Sequence, residues 1–122
     1  MIVRQTDNVC LVRALGEIDL ATVRNLDVAL TQVQSDSDAS LLLDLRDVTY
    51  IDAIGIGVLL SASRRAQHNR RGFAVVTEPS GPVGRVFDVT GVTGALSVFA
   101  SRALATRMLQ AHLDRIRRDG FS

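Results

Sequence analysis

The sequence predicts a single α/β domain with a mixed, mostly parallel sheet of four to five strands, about four helices and an opening β-hairpin. Short apolar runs bounded by polar residues alternate with longer segments in which apolar residues recur every three or four positions. This is the pattern of strands followed by helices. The length of 122 residues, 47% of them hydrophobic, suits one hydrophobic core. We therefore expect one domain over 1–122, with its core in about 2–113 and a short basic C-terminal tail at 114–122.

The first half of the chain predicts a hairpin, a helix and a central strand. Residues 2–5 and 9–15 are typical of two strands joined by a turn at Asp7-Asn8. Asp19 stands where a helix N-cap belongs. Residues 41–45 form a short apolar run typical of a central strand, and 46–50 are expected to connect it to the next element. The stripe expected to face inward from the first helix is Leu20, Val23, Leu26, Leu30 and Val33.

The second half predicts an acidic, glycine-containing turn at 51–57 and a helix at 58–70 that Gly72 ends. A strand at 73–77 follows, then a short helix from Pro82 to Gly91 and a last strand at 96–99. Ser101 is expected to cap the final helix. The residues expected to face inward from these three helices are Val58, Leu59, Ala62 and Ala66, then Val83, Val86 and Phe87, and finally Leu104, Met108, Ala111 and Ile116.

Composition argues against several classes of function. Cys10 is the only cysteine, so an internal disulfide or a thiolate metal cluster is excluded, and a buried thiol is expected. His68 and His112 lie far apart and do not have metal-ligand spacing. We predict no metal and no cofactor. The sequence also has no apolar run long enough to cross a bilayer and no secretion signal, so a cytoplasmic protein without membrane insertion is expected.

The charges are uneven along the chain. Residues 1–52 contain 4 arginines against 9 acidic residues, whereas 53–122 contain 10 against 4. The arginines are scattered, and aromatic residues do not interleave with them as base stacking would require. We therefore expect solvated helix faces and no nucleic-acid partner.

The sequence carries no strong nucleotide or catalytic motif. Gly55 and Gly57 lack both the GxGxxG spacing and the lysine of a P-loop. Ser61 and Ser63 lack a GxSxG context. The best acidic candidates are Asp44, Asp47 and Asp52 near one strand end, for which capping and turn formation are the competing interpretation. We predict that the protein is not an enzyme.

Three blocks carry a resemblance to a known family: Gly-Glu-Ile-Asp at 16–19, Asp-Ala-Ile-Gly-Ile-Gly-Val-Leu-Leu at 52–60 and Val-Phe-Asp-Val-Thr-Gly-Val at 86–92. In this order and spacing they resemble a STAS domain, and specifically the bacterial anti-sigma factor antagonists, over about 9–111. In that family a serine or threonine directly after the acid of the second block is phosphorylated by a partner kinase. Here that position is Ala53, followed by Ile54, so neither side chain can accept a phosphoryl group.

The resemblance implies a binding protein that sequesters an anti-sigma factor of the GHKL-kinase type and so frees a sigma factor for transcription. The residues it assigns to partner binding are Asp19, Asp52, Ala53, Ile54, Gly55, Ile56 and Gly57. Helix capping competes with this role for the two acids, and burial in the core competes with it for Ile54. The alternative function is a STAS adaptor subunit of a lipid ABC or anion transporter. Formation of a homodimer, and phosphorylation of another hydroxyl, are left open by the residues.

Overall fold

The computed structural model describes residues 2–6 and 8–119. Asp7, part of the predicted hairpin turn, lies outside them. The described strands are β1 (Ile2–Thr6), β2 (Val9–Ile18), β3 (Ser40–Ile51), β4 (Phe73–Val76) and β5 (Ser97–Phe99). The helices are α1 (Val23–Asp36), α2 (Ala53–His68), α3 (Pro82–Thr90) and α4 (Arg102–Asp119), with a 3-10 turn at Val92–Gly94.

The five described strands form one sheet in the order β1-β2-β3-β4-β5. β1 and β2 pair antiparallel as a hairpin, and the three remaining pairs are parallel. The predicted fold class is confirmed, and so is the central place of the apolar run 41–45. Helical crossovers connect the parallel strands, because a parallel pair cannot be closed by a tight turn.

β3 is longer than the sequence analysis predicts. It does not end at Leu45 but continues to Ile51, because Val48 and Ile51 return to the core while the residues between them stay exposed. β4 pairs with β3 only as far as Asp44, whereas β2 follows it to the register pair Ile18 and Ile51. The last part of β3 therefore has β2 as its strand neighbour.

The helices divide between the two faces of the sheet. Leu41, Leu43 and Leu45 of β3 point into the larger core, which α1, α2 and α3 cover. Leu42 points to the other face, where Ala105 and Leu109 of α4 pack. Cys10 is buried as expected, and its burial raises the pKa of the thiol.

The predicted start of the first helix is wrong. α1 begins at Val23 rather than after Asp19, and Thr22 is its N-cap residue. Asp19 instead holds the preceding turn, since its Oδ1 accepts the backbone N–H groups of Ala21 at 3.0 Å and Thr22 at 3.1 Å. Leu20 belongs to that turn and is 74% exposed, so it is not part of the inward stripe.

Two further helices differ from the prediction. α2 starts five residues earlier than expected, at Ala53, and ends at His68; the left-handed residue that follows is Arg70, with φ 58°, rather than Gly72. In α4 the buried residues are Ala105 and Leu109, whereas Leu104 and Ala111 are exposed. α4 also continues to Asp119, so most of the predicted tail is helical.

The predicted roles of Pro82, Gly91 and Ser101 at helix ends are confirmed. Pro82 occupies the first turn of α3, and Gly91 ends this helix in the left-handed conformation with φ 71°. Ser101 caps α4, because its Oγ accepts the N–H of Leu104 at 3.2 Å.

Candidate functional site

Asp52 is the N-cap residue of α2. This residue has extended backbone angles and follows directly on β3, and its Oδ1 accepts the N–H groups of Ile54 and Gly55, both at 3.1 Å. The carboxylate therefore satisfies two of the donors that the first turn of a helix leaves free. Ala53 is the first helical residue and is exposed, so the position that carries the phosphorylated hydroxyl in the resembled family presents a methyl group to solvent.

Gly55 and Ile56 point the other way. Both are buried, and Ile56 belongs to the larger core. A Cβ added at Gly55 would lie 2.7 Å from Cγ1 of Ile51 and 2.9 Å from Cγ2 of Ile18, so glycine lets α2 lie close against both strands. Gly55 and Ile56 therefore position the helix, whereas their neighbours Ile54 and Gly57 are exposed. That Gly55 and Ile56 also contribute to partner binding stays a prediction.

The turn after β2 lies beside the start of α2. Ile18 and Ile51 are register partners in neighbouring parallel strands, and the N–H of Asp52 donates to the carbonyl of Ile18 at 3.3 Å. Thr22 closes the turn after β2, since its Oγ1 donates to the carbonyl of Glu17 at 2.7 Å. Asp19 and Asp52, far apart in sequence, therefore stand at the same edge of the sheet.

Exposed apolar residues occur on each of the three segments that meet at this edge: the turn after β2, the end of β3 and the start of α2. Leu20 is 74%, Tyr50 49% and Ile54 48% exposed, and Ala53 and Gly57 are exposed beside Ile54. We call these five residues the carboxyl-edge surface. The three members on α2 are among the predicted partner-binding residues. Leu20 and Tyr50 are not, because the sequence pattern predicts Leu20 in the helix stripe and Tyr50 in a connection.

The charges around this surface are mainly negative. Glu17 is exposed, and Asp19 and Asp52 are partly exposed, at the ends of β2 and β3. The basic residues nearest to Glu17 and Asp19 in the sequence are Arg13, which pairs with Asp47, and Arg24 in the first turn of α1. An apolar patch with an acidic margin is complementary to an apolar surface with a basic margin.

The three acidic candidates do not form a catalytic group. Asp44 is buried and accepts from Nε and Nη2 of Arg46 at 3.0 and 2.9 Å, and from Nε of Arg102 at 2.8 Å. Burial favours the neutral acid, but these arginine hydrogen bonds outweigh it and lower the pKa of Asp44 to about 2, from an ordinary 3.8. Asp47 instead pairs with Arg13, whose Nε donates to it at 2.8 Å. Each carboxylate already has a structural partner.

The described residues hold no candidate metal site and no candidate membrane span. No group of three or more histidine, cysteine, aspartate or glutamate side chains there is placed to hold a metal ion. No described helix is both long enough and apolar enough to cross a bilayer.

Comparison with known proteins identifies the family. The family model described as STAS domain matches residues 1–105. The chain is 28% identical over 87 residues to the anti-sigma-B factor antagonist of Staphylococcus aureus, a match that covers 71% of this chain and 80% of that protein.

Solved structures agree with this. An anti-sigma factor antagonist from Mycobacterium paratuberculosis superposes with a TM-score of 0.79 at 26% identity, over 89% of this chain and 92% of the other. The Bacillus cell fate determinant SpoIIAA in its phosphorylated form has the same fold, with a TM-score of 0.65 at 16% identity over 88% and 97% of the two chains. The chain therefore belongs to the STAS domain family and resembles its anti-sigma factor antagonists.

Proposed function

We propose that this protein is an anti-sigma factor antagonist that binds an anti-sigma factor of the GHKL-kinase type in the cytoplasm through the carboxyl-edge surface. Binding would release a sigma factor for transcription. The observation that carries the proposal is the exposed pair Ala53 and Ile54 at the capped start of α2. The named relatives support the same class of partner.

The chemistry of the surface fits a protein partner better than a reaction. Leu20, Tyr50 and Ile54 expose large apolar groups that gain free energy when they leave water. Isoleucine at a helix start, flanked by the small residues Ala53 and Gly57, offers an anchor with room around it for a partner to pack closely. The acidic margin would orient a basic partner and speed its association.

The surface also lacks a phosphorylation switch at the family position. A phosphoryl group at a helix N-terminus is favoured by the free amides and the helix dipole, and it adds roughly −1.5 to −2 charges. Such a charge would oppose docking because it would have to lose its hydration when a partner covers the apolar surface beside Ile54. Ala53 has no oxygen that could accept a phosphoryl group, so phosphorylation at this position cannot switch partner binding off.

A pair of matched substitutions tests the docking site. Ile54→Asp and Leu104→Asp remove side chains of nearly equal exposure, 48% and 50%. Leu104 lies on α4, on the other face of the sheet, so Leu104→Asp controls for the loss of an exposed leucine elsewhere. Binding to each candidate anti-sigma factor of the native host is measured by calorimetry, with thermal unfolding as the check on folding.

We expect Ile54→Asp to weaken binding by more than about 2 kcal/mol, roughly thirtyfold, as for an interface anchor. Leu104→Asp should bind as wild type does. Equal affinities of both variants for every anti-sigma factor would remove the α2 start from the interface. Recovery of a permease or ATPase subunit from the host, with no anti-sigma factor bound, would instead favour the transporter role.

A further inference from the structure

A second concave feature lies at the far end of α2. The 16 residues of this helix, at about 1.5 Å each, span roughly 24 Å, so this groove is well separated from Ala53. It has a volume of about 240 Å³ and lies between the end of α2, the start of β4 and α4. Its polar lining is supplied by Ser63, Gln67, Arg71, Ser97, His112 and Arg115.

The polar lining is rich in cations and donors. Arg71 and Arg115 supply guanidinium groups, His112 supplies a ring nitrogen, and none of the described residues that line the groove is acidic. Arg71 pairs with Asp38 at 3.0 Å, but the Asp38 side chain is 97% exposed. A pair this exposed is worth little, so Arg71 can turn to another anion at small cost.

His112 supplies an independent observation. Its Nε2 atom is buried, and no described residue forms a hydrogen bond with it. A buried polar atom without a partner costs free energy, which a bound ligand or water would recover. Gly72 lets α4 lie close to the start of β4 beside this atom, because a Cβ there would lie 2.6 Å from Cδ2 of Leu109 and 3.4 Å from Cδ2 of His112.

The α4 side of the groove follows from helix geometry. Met108, His112 and Arg115 follow one another at intervals of four and three residues and line the same wall. Ser97 at the start of β5 and Gln67 near the end of α2 add neutral donors from the other walls. Several donors from three elements therefore converge on one small space.

We propose that this groove binds a small oxyanion of the phosphate class, either free phosphate or the phosphoryl group of a small metabolite. A phosphate dianion accepts many hydrogen bonds and is favoured by guanidinium groups. The volume is below the roughly 300–1,000 Å³ of pockets that hold drug-sized ligands, which favours a small ligand over a nucleotide. The proposal goes beyond the docking function and does not depend on it.

The test is a titration of the ¹⁵N-labelled chain with inorganic phosphate and, separately, with glycerol 3-phosphate, each against sodium chloride at the same ionic strength. We expect saturable shifts in the amide signals of Gly72, Ser97 and His112, and none at Ala53. Tighter binding of inorganic phosphate would assign the groove to free phosphate, and tighter binding of the ester would assign it to phosphorylated metabolites.

Three variants make the test specific. Arg115→Gln removes an exposed cation that lines the groove. His112→Phe keeps an aromatic ring but removes the Nε2 atom. Each variant should weaken phosphate binding about tenfold or more, because each loses a hydrogen bond to a charged group. Arg107→Gln on the same helix is the control, since Arg107 is exposed and lies outside the groove. Shifts that do not saturate, or an equal loss in Arg107→Gln and Arg115→Gln, would overturn the proposal.

Discussion

Replacing Gly57 with alanine should stabilise the fold, whereas the same replacement at Gly55, two residues earlier, should not. Both glycines lie inside α2. In a helix alanine is favoured over glycine by about 0.8–1.0 kcal/mol, because alanine loses less backbone entropy than glycine when the chain folds. No atom lies within 4 Å of a Cβ built at Gly57. The full gain should therefore be realised there.

At Gly55 the added methyl group meets the core. Its distances of 2.7 and 2.9 Å to carbons of Ile51 and Ile18 are too short for non-bonded carbon atoms, and both neighbours are buried branched side chains. Overpacking of this kind costs about 1–3 kcal/mol. Because the gain in helix propensity is common to both variants, the free energies of unfolding of Gly57→Ala and Gly55→Ala should differ by about 1–3 kcal/mol.

Urea unfolding of the wild type and the two variants measures this difference directly. For a chain of this length we also expect the midpoint of thermal unfolding of Gly57→Ala to rise by roughly 3–5 °C. A Gly57→Ala variant that is less stable than wild type, or a Gly55→Ala variant that is equally stabilised, would refute the placement of the two glycines on opposite sides of α2. If an anti-sigma factor packs its backbone against bare Gly57, the stabilised variant should also bind it more weakly.

Two other predictions concern the α2 start and the buried ion pair. Ala53→Ser should accept one phosphoryl group when it is incubated with ATP and a GHKL-kinase-type anti-sigma factor, as intact mass would show, while the wild type should not; phosphorylation of the wild type would mean that another hydroxyl carries the switch. For Asp44, the pKa of about 2 in the folded protein lies below its ordinary 3.8, so the carboxylate contributes about 2 kcal/mol of stability above pH ~4, which is lost as the pH falls towards ~2. The stability difference between the wild type and Asp44→Asn should therefore shrink over this interval in urea unfolding, and a constant difference would contradict the ion-pair assignment.

The order of elements could be predicted from the sequence because each strand and helix has its own hydrophobic period. The ends of several strands and helices could not be predicted from the sequence, because tertiary contacts decide where these elements end. β3 runs past Leu45 because β2 continues beside it, which no local pattern in 46–50 reveals. The inward face of α4 differs from the predicted stripe, and its first residue, Arg102, is fixed by the buried Asp44 on the sheet. That ion pair joins residues from distant segments and has no local signature.

The candidate site could be predicted in part for a similar reason. Asp52 was identified as a capping candidate, and the structure places it at the N-cap of α2, since an aspartate before a helical segment is a local signal. Gly55 and Gly57 predict a glycine-containing turn, whereas the structure places both in α2 and Gly55 is needed because two isoleucines leave no room for a side chain. Leu20 and Tyr50 were missed because their exposure depends on how strands and turns meet at the sheet edge.

The hydrogen bond from Asp52 to Ile18 has one further consequence. It joins two stretches of chain that are remote in sequence, so the patch formed by Leu20, Tyr50 and the first turn of α2 is a discontinuous epitope. A peptide copied from residues 50–57 would lack Leu20, and a peptide copied from the turn after β2 would lack the other four residues. Any protein that recognises the whole patch would therefore recognise only the folded chain, and its binding would add to the stability of the native state by mass action.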